Sequence, residues 1–258
     1  FEDNTLLDFC PIVRSYQAPL WDEQNSANRQ YAQLLSQWLT RRAFQGDIAI
    51  YTYYRKYAWR SLPILLPGLI VQEVRHYKGQ GVNGMGMYSE PADWLTFEVS
   101  HYAFAKAIFN AEADADMLLR DYARHRFGAA AEPMFEYLHI VESVMSSLAR
   151  IPGTVVRNPE EVEEGIRKLE RAAELIKEAK RLLTGRSATR ELVTKMEFAL
   201  QYGTNDLRIR LQAWRMAQGG GWDDGSVGMA RLLKERRELL AAHQDDGIFL
   251  VKPQQLSY

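Results

Sequence analysis

The 258-residue sequence lacks several features that would point to a particular class of protein. It has one cysteine, Cys10, which excludes an internal disulfide framework and any cysteine-rich metal site. Its longest apolar stretch, residues 62–71, is broken by prolines and is far shorter than the ~20 residues of a membrane-spanning helix. The five histidines are scattered without ligand spacing. We therefore expect no membrane span, no metal site and no cofactor.

The sequence also has no excess of charge of either sign. Its 32 lysine and arginine residues balance 33 aspartate and glutamate residues, for a net charge of −1 at pH 7. A nearly neutral chain has no overall field to attract nucleic acid, so we expect no nucleic-acid partner. The hydrophobic content of 47% predicts a globular protein of one large domain, or a domain with an appendage.

The first part of the chain alternates between strand and helix patterns. Each of three short runs that predict strands is followed by a loop and a segment that predicts a helix. The predicted strands cover residues 5–13, 48–54 and 82–88, and the predicted helices cover residues 29–44, 68–78 and 95–110. Three such units in a row predict a parallel sheet covered by helices. Cys10 is expected to be a buried residue of the first strand.

Three glycines, Gly79, Gly81 and Gly84, have the G-x-G-x-x-G spacing of a dinucleotide-binding loop. That loop needs a strand before the glycines and a helix after them, whereas here a helix precedes them and a strand follows. We therefore expect Gly79 and Gly81 to cap the preceding helix, and a nucleotide-binding domain is the weaker alternative. Gly84 and Gly86, two residues apart, should leave one face of the third strand open.

The second part of the chain reads as helices throughout. The predicted helices cover residues 116–127, 131–150, 159–183, 188–216 and 227–242. Asn158 and Pro159 form a strong start signal for the third of them, because asparagine caps a helix N-terminus and proline fits its first position. These segments predict a helical bundle.

Three blocks of the sequence carry a family resemblance. They are FCPIVRSYQAPL at residues 9–20, the segment from IYTYYRKYAWRSLP to SEPADW at residues 50–94, and the segment from YAFAKAIFN to EPMFEYL at residues 102–138. This half of the chain resembles the family catalogued as domain of unknown function 4838, part of which is classed as glycoside hydrolase family 163. The resemblance implies an α/β region followed by an all-α region. Residues 1–112 would form the last three βα units of a TIM-type (β/α)8 barrel, and residues 113–258 a helical domain.

Three strands alone would leave two open sheet edges and an uncovered apolar face. We therefore expect an N-terminal barrel segment of the same polypeptide as a partner of this chain. The alternative is a complete, small open α/β sheet.

The resemblance also implies an activity. It implies a glycoside hydrolase that cleaves β-N-acetylglucosaminides of complex glycans by a retaining, substrate-assisted mechanism, with a carbohydrate as the substrate partner. An extracytoplasmic location, periplasmic or secreted, is expected by the same resemblance. The catalytic acid of related barrels lies on an earlier strand. The alternative is a non-catalytic module that binds a glycan or a protein.

Barrel active sites lie at the carboxyl ends of the strands. Aromatic and polar residues follow all three predicted strands, and such residues suit a sugar site. The predicted substrate-binding residues are Arg14, Tyr16, Tyr53, Tyr54, Tyr57, Tyr88, Asp93 and Trp94. The candidate catalytic residue is Glu90, the carboxylate directly beyond the third strand. By the same resemblance, some relatives carry the corresponding glutamate nearer the strand, where this sequence has Met87.

Each candidate also has a purely structural interpretation. Tyr51 and Tyr53 would be barrel filling, since alternate strand residues point inward. Arg14 and Arg55 would form surface ion pairs. Asp93 would be an N-cap, and Glu90 would cap the loop before the next helix.

Overall fold

The computed structural model describes residues 4–41, 46–89, 94–149, 156, 158–185, 187–219 and 222–249. Three strands in these ranges are β1 (Leu6–Phe9), β2 (Asp47–Thr52) and β3 (Gly84–Met87). The α-helices in the same ranges are α1 (Ser26–Leu39), α2 (Pro67–Gly79), α3 (Trp94–Phe109), α4 (Ala115–Phe127), α5 (Ala131–Met145), α6 (Pro159–Leu182), α7 (Ala188–Ala217) and α8 (Trp222–Ala242). The order and type of the predicted elements are confirmed, with differences at their ends.

The three strands form one parallel sheet in the order β1-β2-β3. Asp8 pairs with Ala49 across the first two strands, and Ala49 pairs with Gly84 across the second two. The parallel sheet predicted from the strand–helix units is therefore confirmed. Three strands fit a sector of a barrel and a small open sheet equally well, so the barrel stays a prediction.

Helices cover one face of this sheet. Ile48 and Ile50 of β2 are buried and pack with Leu35 of α1 and Tyr77 of α2 in a small apolar cluster. Burial of a side chain such as Ile50 contributes about 1.5–3 kcal/mol. This packing holds the first two helices against the same side of the sheet.

The first strand is shorter than predicted. β1 ends at Phe9, because Pro11 has no backbone N–H for a further ladder bond. Cys10 lies beyond the strand and is exposed, so its predicted burial is wrong. Ile12 and Val13, also predicted in the strand, are 50% and 58% exposed.

Helix α1 begins three residues earlier than predicted. The Asn25 side chain caps it by accepting a hydrogen bond from the Asn28 backbone N–H. Asn28, predicted to lie in a polar loop, is instead fully buried in the first turn. Its Oδ1 accepts from the Ser15 N–H at 2.8 Å, and its Nδ2 donates to the Ala18 carbonyl at 3.1 Å. A buried amide thus fixes the β1–α1 loop.

The glycines between α2 and β3 have the predicted helix-then-strand order. Gly79 is the last residue of α2, and Gly81 has a positive φ of 86°, which a glycine adopts at little cost. The order is the reverse of the one that a dinucleotide loop requires.

The helices of the second part pack in sequence, α5 on α6, α6 on α7 and α7 on α8. Asn158 caps α6 by accepting from the backbone N–H groups of Glu160 and Glu161, so this start signal is confirmed. A single hydrophobic core runs from Tyr54 and Phe97 to Tyr137 and beyond, on both sides of residue 112. The division into two domains at residue 112 stays a prediction.

Side chains from two other helices cap the N-terminus of α2. The Leu66 N–H donates to Ser100 Oγ of α3 at 3.2 Å, and the Gly68 N–H donates to Glu142 Oε1 of α5 at 2.8 Å. These bonds satisfy N–H groups that have no partner inside the helix. The bond to Glu142 also ties the α/β part of the chain to its helical part.

Candidate functional site

The second face of the sheet carries the side chains that alternate with the buried ones. Successive side chains of a strand lie on opposite faces of the sheet, so Ala49 and Tyr51 of β2 lie on the face away from buried Ile48 and Ile50. The strand register aligns further residues with them, and these residues are Leu6, Asp8, Asp47, Gly84 and Gly86. They are half-buried or exposed in this structure. We call this side of the sheet the open face.

Three tyrosine rings line the carboxyl end of the open face. Tyr51 contacts Tyr53 edge to face, with ring centroids 5.3 Å apart, and Tyr53 lies 5.8 Å from Tyr88 at an interplanar angle of 32°. We call these three residues the tyrosine row. The Tyr53 backbone N–H donates to the Tyr16 hydroxyl at 2.8 Å, which anchors the middle of the row.

The tyrosine row occupies space that a glycine leaves free. A Cβ built at Gly86 would lie 2.9 Å from Cδ2 of Tyr51, so the ring lies directly over this glycine. The space expected above Gly86 is therefore filled from the neighbouring strand. A Cβ at Gly84 would meet only the Ala49 methyl, at 3.8 Å, so the space above Gly84 is open.

The charged strand residues of the open face are acidic. Among the described strand residues, the open face carries Asp8 and Asp47 and no lysine or arginine. Burial raises the pKa of Tyr53, and Cys10, Tyr51 and Asp8 raise it further. Tyr53 therefore keeps its proton at neutral pH and can donate as well as accept a hydrogen bond.

A buried polar cluster lies behind the sheet, centred on Glu73 of α2. Arg14 Nη1 lies 2.6 Å from Glu73 Oε1, and Arg14 Nη2 donates to Oε2 at 2.9 Å. The Tyr54 hydroxyl donates to Oε2 at 2.6 Å, and the Leu20 N–H donates to Oε1 at 2.9 Å. Arg14 also donates to the Tyr77 hydroxyl at 3.2 Å. We call these residues the Glu73 cluster.

The Glu73 cluster is sealed from solvent. Arg14, Tyr54 and Glu73 are at most 1% exposed. Burial raises the pKa of Tyr54 well above its ordinary value, and the neighbouring Glu73 raises it further. Hydrogen bonds to both carboxylate oxygens compensate the cost of burying the charge. The cluster therefore serves to hold the loops after β1 and β2 in place.

Lys56 links the same two loops. Its Nζ donates to the Ile12 carbonyl at 2.5 Å and to the Arg14 carbonyl at 3.3 Å, and it lies 4.8 Å from the centroid of the Tyr16 ring. Burial, together with the nearby charge of Arg14, lowers the pKa of Lys56 to about 7.

The structure separates the sequence-predicted site residues into distinct environments. Tyr53 and Tyr88 lie together on the open face, whereas Arg14, Tyr16 and Tyr54 are buried behind the sheet. Tyr57 is 58% exposed in the loop after β2, and Trp94 at the start of α3 is 43% exposed. The candidate acid Glu90 and the candidate N-cap Asp93 lie outside the described residues.

The surface positions expected for Arg55 and Arg14 are wrong. Arg55 was expected in a surface ion pair, but it is 1% exposed, with its guanidinium 5.1 Å from the centroid of the Phe97 ring. The same expectation for Arg14 is wrong as to the surface, although Arg14 does pair with a carboxylate.

Sequence reasoning did not single out Glu73 or Asp8. Glu73 falls between Ile70, Val74 and Tyr77, on the buried side of α2, and a carboxylate within an apolar stripe is a detectable signal. Asp8 interrupts an otherwise apolar strand between Leu7 and Phe9. Its position on the open face depends on the register with β2, which the sequence does not reveal.

Other kinds of site have little support in the described ranges. Within them, no group of three or more histidine, cysteine, aspartate or glutamate residues is arranged to hold a metal ion. None of the helices described is both long enough and apolar enough to cross a membrane.

Comparison with known proteins gives one match. A family model described as Domain of unknown function (DUF4838) matches residues 1–139, just over half of the 258 residues. No curated protein and no solved structure matches the chain.

Proposed function

This chain belongs to the DUF4838 family, and we propose that it forms part of a glycoside hydrolase that cleaves β-N-acetylglucosaminides of complex glycans. The observation that carries the proposal is the tyrosine row at the carboxyl end of the open face. The resemblance of the sequence to family members classed as glycoside hydrolases supplies the reaction.

The chemistry of the open face favours a neutral sugar. Apolar faces of pyranose rings stack on aromatic rings, and phenol hydroxyls exchange hydrogen bonds with sugar hydroxyls. The acidic residues Asp8 and Asp47 on this face would repel a phosphate or a nucleotide. A ligand with hydroxyl groups and no negative charge therefore fits better than an anionic one.

The one-sided packing of the sheet supports the barrel part of the proposal. α1 and α2 cover the Ile48 and Ile50 side, and the open face corresponds to the lumen side of a (β/α)8 barrel. Further strands of the same polypeptide would pair with the edges of the sheet and enclose this face. The tyrosine row would then lie at the catalytic end of the barrel.

The proposed mechanism is retaining and substrate-assisted. The acetamido oxygen of the substrate attacks the anomeric carbon while a carboxylic acid protonates the leaving oxygen. Tyr53 and Tyr88 would bind the sugar that carries the acetamido group, and Trp94 would stack on a neighbouring ring. Glu90 is the proposed catalytic acid within this chain. The alternative is a carboxylic acid on an earlier strand of the barrel. Tyr16 would position Tyr53 by accepting its backbone N–H bond, and Arg14 and Tyr54 would hold the loops in place through the Glu73 cluster.

The experiment measures glycan release from a glycoprotein with complex N-glycans by the full-length protein, using mass spectrometry. Tyr53→Ala and Tyr88→Ala should each reduce kcat/KM by at least tenfold, since stacking contacts contribute about 1–1.5 kcal/mol and the hydroxyl bond adds to that. Glu90→Gln should reduce turnover by at least ~100-fold if Glu90 transfers the proton. Phe109→Ala, at a ring that is 94% exposed at the far end of α3, is the control.

The outcomes separate the candidate functions. Sugar binding without any release of glycan would identify a non-catalytic glycan-binding module. Wild-type rates in Tyr53→Ala and Tyr88→Ala would refute the proposed site on the open face. A wild-type rate in Glu90→Gln would remove only Glu90 from the mechanism.

A further inference from the structure

We infer that Tyr202 of α7 is a positioning residue for the proposed sugar site, because it holds the loop between β2 and α2, residues 53–66, in place. The inference rests on the proposed function, since it takes this loop to contact the carbohydrate. Tyr202 lies outside residues 1–139, the segment that the family model matches. The helical part of the chain is therefore a support of the site and not only an appendage.

Two neighbouring residues of α7 contact the loop. The Tyr202 hydroxyl donates to the Arg60 carbonyl at 2.9 Å, across 142 positions of sequence. Gly203 packs on the same loop, since a Cβ built there would lie 3.1 Å from Cγ of Pro63. The missing side chain at Gly203 lets α7 approach the loop closely enough for the Tyr202 bond.

The loop depends on such a bond because two consecutive residues have a left-handed backbone. Arg60 has a φ of 51° and Ser61 a φ of 59°, a conformation that is unfavourable for residues with a Cβ. Among the residues that the structure describes, these two are the only ones besides glycines with a positive φ. A turn of this kind persists only where the surrounding contacts enforce it, and the Tyr202 bond lies at its first residue.

The Tyr202 ring is itself held in place by its neighbours. It is 2% exposed, and the Phe249 ring contacts it edge to face with centroids 5.2 Å apart. The Arg236 guanidinium of α8 lies 5.2 Å from the Tyr202 centroid, and Arg236 pairs with the buried Asp206 at 2.5 Å. The hydroxyl therefore donates from a fixed position, which ties the loop to the packing of α7 on α8.

The turn at Arg60 is connected to residues of the proposed site. The Arg60 N–H donates to the carbonyl of Tyr57, a predicted substrate-binding residue, at 3.0 Å. The adjacent Trp59 ring packs edge to face on Tyr16, with centroids 6.1 Å apart. Tyr16 in turn accepts the backbone N–H of Tyr53, the middle residue of the tyrosine row. Release of the turn therefore displaces Tyr57 and weakens the support of Tyr53.

The first test measures hydrogen–deuterium exchange of the full-length protein by mass spectrometry. Tyr202→Phe keeps the ring and removes the bond, so protection of the amides of residues 53–62 should fall by about fivefold, which corresponds to about 1 kcal/mol for one hydrogen bond. Tyr137→Phe is the matched control, because the Tyr137 side chain is also buried and its hydroxyl donates to a backbone carbonyl, that of Met196 in α7, at 3.3 Å. It should leave the protection of the loop unchanged.

The second test measures the kinetics of glycan release by the same full-length variants. Tyr202→Phe should raise KM at least threefold and leave kcat within twofold, because a displaced loop binds the sugar less well in the ground state and the transition state alike. A purely structural role would lower Tm in both variants and leave KM unchanged well below Tm. Gly203→Ala, whose added methyl group would press on Pro63, is a second variant with the same expected result.

Reduced protection of the loop together with a raised KM in Tyr202→Phe, and neither change in Tyr137→Phe, supports the inference. Wild-type protection in Tyr202→Phe overturns it, because the bond then does not hold the loop. Reduced protection with a wild-type KM, or an equal rise of KM in both variants, overturns the positioning role while the proposed function stands. Absence of glycan release by the wild type refutes the proposed function itself, so the two failures are distinguishable. If Tyr202→Phe does not fold, Gly203→Ala decides.

Discussion

Replacing Glu142 with glutamine should make the protein more stable at pH 8 and leave its stability at pH 4 nearly unchanged. The Glu142 side chain is largely buried, and its Oε1 accepts the Gly68 N–H at the N-terminus of α2. Burial raises the pKa of Glu142 from 4.5 to about 7; the bond from Gly68 opposes this and the charge of Asp116 adds to it. In the folded protein, Glu142 therefore keeps its proton until the pH approaches 7.

The sign of the effect follows from proton linkage. Between pH 4.5 and 7 the folded protein keeps the Glu142 proton while the unfolded chain has lost it, so this group's contribution to stability falls as the pH rises. The loss is complete above pH 7 and amounts to about 3 kcal/mol for a pKa difference of this size. In a chain of this length, about 3 kcal/mol corresponds to roughly 6–12 °C in Tm.

Urea unfolding of the wild type and of Glu142→Gln at pH 4, 6 and 8 measures this contribution. Glutamine keeps an acceptor oxygen for the Gly68 N–H but has no proton to lose, so the difference between the two proteins should grow from pH 4 to pH 8. Glu132→Gln, at a residue of α5 whose side chain is 85% exposed, is the control and should show no such growth. Glu142→Ala should lose about 1 kcal/mol at pH 4, because the cap of α2 is then missing.

One result would refute this reasoning. If Glu142→Gln is less stable than the wild type at pH 8, the carboxylate is favourable in its charged form. The attraction of the α2 N-terminus for a negative charge would then exceed the cost of burying it.

Two further predictions concern packing and a buried ion pair. Gly86→Ala should lower the free energy of unfolding, measured with urea, by about 1–3 kcal/mol, because the added Cβ would lie 2.9 Å from the Tyr51 ring. An unchanged free energy of unfolding would show that the Tyr51 ring moves aside freely. Asp206→Ala should cost about 3–5 kcal/mol in the same assay, because it leaves the buried Arg236, whose Nη2 lies 2.5 Å from Asp206 Oδ1, without its carboxylate. A loss below about 1 kcal/mol would show that Arg236 finds another compensating group.

Parts of the fold could be predicted from local patterns. The strand–helix alternation predicted the parallel sheet, because parallel strands need a crossover that a helix provides. Asn158 and Pro159 predicted the start of α6, because both act on the first turn of their own helix. Strand ends were less predictable. β1 stops before Pro11, where the run of apolar residues continues but the hydrogen-bond ladder cannot.

The candidate site depended on contacts that no local pattern encodes. The sequence identified aromatic and charged residues after each strand, and these positions do lie near the carboxyl ends of the strands. It could not tell Tyr53, on the open face, from Tyr54, the next residue, which is fully buried. The reason is that Tyr54 donates to Glu73 of α2, 19 residues further along the chain.

The sequence by itself determined the order of the elements, because helical and strand periodicity, caps and breakers act over a few residues. The tertiary structure decided which polar groups face solvent. Arg14 is buried because Glu73, 59 residues away in sequence, compensates its charge. Asp8 joins the open face because its strand pairs with Ala49, 41 residues later, and register is a property of two strands together.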